Sequence, residues 1–258
     1  MNRNAFQTDR GRARQSRGFA ACAIGMAAAA FFSVFDQMLP VFQGQYQEMG
    51  LEAGFALHLA SLAFSSELTH LALPVLCALP FAAAFLEDYR SRFWRFYLLR
   101  SGTEDYVSTR AAVTALAGGL SLLAGMALVV FLFLLLFVPW ETASGEAGMV
   151  SAGLVACLTK GLLFFLSGCF WSLVGGIMAT ATMNRYMAYA SPFIFYYLLV
   201  ILSERYFRGI YMMDPREWMN PQPDWVGGFW GAALWAAELT AGAMVLYRFM
   251  MERRLRNG

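Results

Sequence analysis

The sequence predicts an all-α fold: a polytopic membrane protein of six transmembrane helices, with a cytoplasmic elbow between helices 2 and 3. Three observations carry that prediction. Of the 258 residues, 59% are hydrophobic and only 14% charged, with a mean hydropathy of +0.51, whereas a soluble domain has about 25% charged residues. The apolar residues gather into runs that suit membrane helices, since crossing a ~30 Å hydrocarbon layer takes about 20 residues. Fifteen of the nineteen basic residues fall in four segments that six spans place on one side, and basic residues in short loops mark the cytoplasmic face.

Residues 1–17 form a basic arm with Arg3, Arg10, Arg12, Arg14 and Arg17, and a first span covers 18–42. A basic start followed by Ala27–Ala30 also suits a cleaved signal peptide. The apolar run continues through Phe31, Phe32, Val34 and Phe35, however, which favours a retained span. Residues 43–66 carry no lysine or arginine and are assigned to the outer side, with 51–64 expected as a short helix against the membrane surface. The second span covers 67–86. Pro74 and Pro80 are expected to kink it, leaving neighbouring helices to satisfy the freed carbonyls.

Residues 87–110, EDYRSRFWRFYLLRSGTEDYVSTR, are the one long polar, arginine-rich segment. The third span, 111–138, repeats Ala117, Ser121 and Gly125 every four residues, a small-residue stripe that lets another helix approach. Residues 139–148 make a short outer loop. The apolar run 149–183 reads as one tilted helix, or as an outer surface helix followed by a fourth span from 161. A tiny loop with Arg185 leads to a fifth span over 191–203, short enough to draw residues from either side. The outer segment 204–225 mixes Pro215, Pro221 and Pro223 with aromatics and charges, which suits half-helices dipping into the interface. The sixth span, 226–249, contains Gly227-x-x-x-Gly231, and the tail carries Arg253, Arg254 and Arg256. Residues 18–258 thus form a single transmembrane domain behind the arm, with both termini cytoplasmic. Cys22, Cys77, Cys157 and Cys169 lie in apolar runs without metal or redox spacing and read as small apolar residues at helix interfaces.

Within the elbow, Tyr89, Phe93, Phe96, Tyr97 and Arg100 recur at helical spacing as an aromatic stripe. Asp88 and Arg92 are four apart, acid first, the better orientation for a helical pair. Gly102 is placed to end this helix and Thr103 to cap the next, with Glu104 and Asp105 in its dipole-favoured first turn. The segment reads as helix, break, helix. One reading is an interfacial helix resting on anionic headgroups, anchored by Trp94 and the tyrosines. The other is an aromatic face that enters a groove on a soluble partner.

Six spans, cytoplasmic termini, a short elbow and a proline-containing segment between spans five and six resemble the membrane subunits of ATP-binding-cassette exporters, above all the type-two export permeases. The run LPFAAAFLEDYRSRFWRFYLLRSGTEDYVSTRAAV resembles their local pattern, with Asp88, Arg90, Arg100 and Tyr106 at its acid, basic and tyrosine places. The topological likeness covers nearly the whole chain and the motif only the elbow. The resemblance implies that the elbow is a coupling helix fitting a cleft in a separate nucleotide-binding ATPase subunit, with Asp88, Arg90, Phe93, Trp94, Phe96 and Arg100 in the contact. It also implies a basic N-terminal helix at residues 2–17, although that arm shows no clear amphipathic face. It further implies a second membrane subunit, identical or different, a bacterial plasma membrane, and ATP with magnesium bound on the partner. Drugs, antimicrobial peptides and lipids are the substrate classes it implies. A large extracellular domain, as in macrolide-type exporters, is missing.

Glu238 sits near the middle of span six, where a charge costs about 2.5–3.5 kcal/mol on insertion scales. With Asp36 and Lys160 it is a candidate for a substrate path, with Lys160 as its possible counter-ion. A protonated carboxyl hydrogen-bonded between helices is the structural alternative. Glu67, His70 and His58 make too weak a signature for a metal site. No GxxxxGK[ST] loop occurs, and neither does GxSxG nor HExxH, so ATP hydrolysis is expected on the partner and no enzyme activity on this chain. Mixed bases and aromatics are explained by membrane topology and call for no nucleic acid. The alternative function is a six-helix substrate-binding or peptide-sensing membrane module. Ala23-x-x-x-Ala27 faintly resembles vitamin-capture subunits, which lack a charged elbow.

Overall fold

Two long helices form the spine of the computed structural model, which describes residues 3–43, 51–141, 147–207, 209–223 and 225–256. They are α8 (Thr103–Phe137) and α9 (Ala147–Thr182), 35 and 36 residues long. Neither contains a proline, so nothing interrupts its ladder of backbone hydrogen bonds. At 1.5 Å per residue each runs for about 50 Å, longer than the hydrocarbon core. The remaining helices are α1 (Arg3–Arg14), α2 (Arg17–Ser33), α3 (Phe35–Phe42), α4 (Phe55–Phe64), α5 (Glu67–Leu76), α6 (Ala84–Arg90), α7 (Phe93–Ser101), α10 (Arg185–Arg205) and α11 (Gly228–Arg256). No β-strand forms among the described residues.

The spine closes on glycines. A side chain at Gly118 would come within 2.8 Å of the Gly168 carbonyl and 2.9 Å of the Cys77 carbonyl, so only hydrogen fits where α8 crosses α9 and the end of α5. Ser172 ties the crossing by donating to the Thr114 carbonyl at 3.0 Å. At Gly125 a side chain would meet the Ala23 carbonyl of α2 at 2.6 Å. The Ser121–Gly125 end of the small-residue stripe is therefore a seam within one chain, and Ala23 and Met26 form its other side. Cys22, Cys77 and Cys169 are buried in these contacts.

Among the described residues four helices are long and apolar enough to cross a membrane, α8, α9, α10 and α11, and two bent pairs raise the number to as many as six. The pairs are α1–α2, bent by 52°, and α4–α5, bent by 62°. Large apolar side chains such as Phe32, Phe131, Leu135, Leu158, Leu234 and Phe249 point outward. An apolar coat of this extent suits lipid rather than water.

Several elements depart from the sequence expectation. Helix α4 does not lie on the surface. Its small residues Ala56, Ala60 and Ala63 let it sink against α8 and α9, and Glu141 satisfies its start by accepting from the Gly54 and Ala56 N–H groups at 3.1 and 2.9 Å. At the sharp bend into α5, Thr69 donates to the Ala63 carbonyl at 2.8 Å and His70 Nε2 lies 3.0 Å from the Phe64 carbonyl. Side chains thus supply the partners that a broken helix in lipid lacks. The expected second span stops at Leu76 and passes through turns before α6, and the Pro80 carbonyl there accepts from Ser16 at 3.2 Å. The 36-residue α9 settles the open choice in favour of one helix, and α10 begins at Arg185, earlier than 191. Gly227 has φ +77 and precedes α11, so the Gly227–Gly231 pair is a turn and not a helix seam. Between 206 and 225 the described residues form turns and one 3-10 helix, with no half-helix. Trp218 and Met219 plug the bundle there, Trp218 stacking on Trp171 at 6.0 Å. Arg216 is held by Asp214 and Glu204 at 2.7 and 2.9 Å.

Candidate functional site

The elbow α6–α7 is built on a buried ionic knot. Arg110, seven residues into α8, is fully buried, a place that a guanidinium tolerates only when paired. Its partner is Asp88 on α6, 3% exposed, which also accepts from Tyr106 at 3.3 Å and from Arg12 at 3.2 Å. Asp9 on α1 lies 3.6 Å from Arg110 and 3.7 Å from Arg12. The rings of Phe81 and Tyr106 cover the Arg110 guanidinium at 5.1 and 5.4 Å, a cation–π contact that strengthens on desolvation. Burial pushes the Asp9 carboxyl above its ordinary range, against the pull of Arg110 and then Arg12. The knot joins the arm, the elbow and the spine at one point.

Helix α7 follows a break at Ser91–Arg92, where Arg92 adopts a left-handed φ of +57. The stripe expected on one helix is therefore divided between two. On the inner side Trp94 stacks on Tyr89 at 6.0 Å with ring planes 8° apart, and Tyr97 meets Tyr106 at 5.0 Å. On the outer side Phe93, Phe96 and Leu99 are 45, 70 and 85% exposed, spaced three residues apart along α7. Arg12 covers the Phe93 ring at 5.7 Å and Arg95 covers Trp94 at 5.4 Å. Gly102, at φ +76, ends α7 as the sequence indicates, and it is the N-cap of α8 in place of Thr103.

The same end of the bundle gathers the other basic segments. Arg90 donates to the Met183 carbonyl in the α9–α10 turn at 2.5 Å, and Arg254 of the tail donates to Ala181 at 2.7 Å. Arm, elbow, turn and tail thus meet at one pole, and Glu141 lies at the far end of α8.

Of the expected contact residues, Phe93 and Phe96 face outward, Arg90 is spent on Met183, and Trp94 is half-buried. Asp88 is buried instead, its carboxylate held inside the knot by Arg110, Arg12 and Tyr106. The side chain of Arg100 lies outside the described residues. Lys160 does not pair with Glu238, because its ammonium donates to the Ser61 carbonyl at 2.9 Å and to the Ser65 hydroxyl. Glu238 lines a groove between α9, α10 and α11, and Asp36 is exposed in the first turn of α3. His58 and Glu67 are exposed while His70 is buried, and no metal-binding cluster occurs among the described residues. Sequence reasoning missed Asp9, Arg12 and Arg110 as a unit. The available signals were an acid isolated among arginines and an arginine at the edge of an apolar run. No protein-family model, curated protein or solved structure matches the chain.

Proposed function

We propose that the chain is the membrane subunit of an ATP-driven exporter of an amphipathic or hydrophobic substrate, gripped at the α6–α7 elbow by a separate ATPase chain. The observation that carries this reading is the exposed Phe93–Phe96–Leu99 row on an elbow locked to the spine through Asp88 and Arg110. Force transmission needs both properties: an apolar face that a partner can bury and a stiff connection to the helices that move. ATP and magnesium belong to the partner in this scheme, and two membrane subunits, identical or different, complete the transporter. The pole bearing the arm, elbow and tail faces the cytoplasm, in keeping with its arginines. Replacing Phe96 and Leu99 with alanine removes the docking face while sparing the buried core. Release of a co-purifying ATPase by that double substitution is the expected result, and retention of the ATPase contradicts the docking.

A second reading, a substrate-binding module without export activity, is favoured by the groove around Glu238.

A further inference from the structure

Between α9, α10 and α11 lies a groove of about 610 Å³, walled by apolar side chains including Trp171, Val174, Leu199 and Leu239. It holds one ionisable group, Glu238. Ten residues of helix separate Glu238 from Gly228 and from Arg248, about 15 Å in each direction. The carboxylate therefore sits at mid-depth in the apolar part of α11. Among the described residues nothing pairs with it, and Lys160, the only lysine, is taken by Ser61 and Ser65. A charged acid at this depth is stabilised by a neighbouring cation.

The possible occupants differ in what they bring to that carboxylate. A lipid acyl chain fills the groove but carries no charge. A phospholipid amine does carry charge but would have to descend about 15 Å from the interface. A second copy of this chain brings Lys160 as its one intramembrane base, already engaged. Charge complementarity is met by a small hydrophobic molecule with a single positive charge. We infer that the groove binds such a hydrophobic monocation, its apolar body against Val174, Leu199 and Leu239 and its charge beside Glu238. The half-buried rings of Phe170 and Phe195 line the same groove and add attraction for a poorly hydrated cation. The site is independent of the elbow and stands whether or not an ATPase docks there.

Gly242, one turn from Glu238, lines the same groove, and a side chain built there meets nothing within 4 Å. It allows the groove to be filled without disturbing the packing. The test is binding of radiolabelled tetraphenylphosphonium to the purified chain in nanodiscs of phosphatidylcholine, without ATP or any ATPase. Saturable binding is expected, weakened about tenfold or more by Glu238→Gln and abolished by Gly242→Leu at an unchanged unfolding temperature. Equal binding by wild type and Glu238→Gln overturns the inference, as does binding that never saturates. A wild-type dimer that binds no cation and dissociates on Glu238→Gln also overturns it, because a second copy then fills the groove. With no ATPase present, failure here leaves the elbow reading standing, and failure of ATPase docking leaves this site standing.

Discussion

Arg110 on α8 and Asp88 on α6 are ion-paired across twenty-two residues of sequence, with both side chains buried. Such a pair is costly to break from one side, because the surviving charge is left buried and unpaired. Asp88→Leu or Arg110→Met alone should destabilise the fold by about 3–5 kcal/mol. The double substitution Asp88→Leu with Arg110→Met should recover a large part of that loss. Thermal unfolding of the four proteins in one detergent checks this, and additive losses contradict the pairing.

Asp9 gives the knot a pH dependence with a definite sign. Its folded-state pKa is raised by burial, so the folded protein holds a proton that the unfolded chain has released. Stability then falls as pH rises from the ordinary carboxylate range through the raised value. Asp9→Asn mimics the protonated form. It should match wild type at low pH and exceed it at higher pH when unfolding temperatures are compared. An Asn variant less stable at every pH would show that the ionised form is the one retained, with Arg110 and Arg12 winning over burial.

The two glycine environments predict opposite outcomes. Gly118→Val drives a side chain into the Gly168 and Cys77 carbonyls and should cost about 1–3 kcal/mol or more through overpacking. Gly242→Ala meets open space and should stabilise α11 by up to about 1 kcal/mol through helix propensity. Parallel unfolding curves separate them.

The two faces of α7 should also separate by measurement. Trp94→Ala removes the stack on Tyr89 and should cost about 1–3 kcal/mol. Phe96→Ala with Leu99→Ala alters only exposed side chains and should leave stability within about 0.5 kcal/mol. The outer pair therefore reports on docking and the inner residue on the elbow itself.

The long apolar helices, the break at Gly102 and the side-by-side placement of the basic segments were legible because each is written locally, in hydropathy, glycine and arginine. The knot was not. The inward face of α1 is Phe6, Asp9 and Ala13, which has no apolar periodicity because its central residue is an acid packed against Arg110 of another helix. Helix α4 was misplaced for a related reason. Ten residues are too few to cross a membrane alone, and the sequence does not show that Ala56, Ala60 and Ala63 permit deep packing inside the bundle. The bend at Ser65–Ser66 depends on carbonyls capped by Thr69 and His70, contacts that spacing alone does not reveal. Aromatics 89 to 97 were assigned to one helix because no residue type warns that Arg92 turns left-handed.

A single cysteine at position 96, introduced by Phe96→Cys after replacing the four native cysteines, probes the outer face of α7. A membrane-impermeant maleimide should modify it in inverted membrane vesicles and leave it untouched in intact cells, and a bound ATPase subunit should protect it. Labelling from the outside of intact cells, or unchanged labelling with the ATPase bound, would contradict a cytoplasmic elbow gripped by a separate motor.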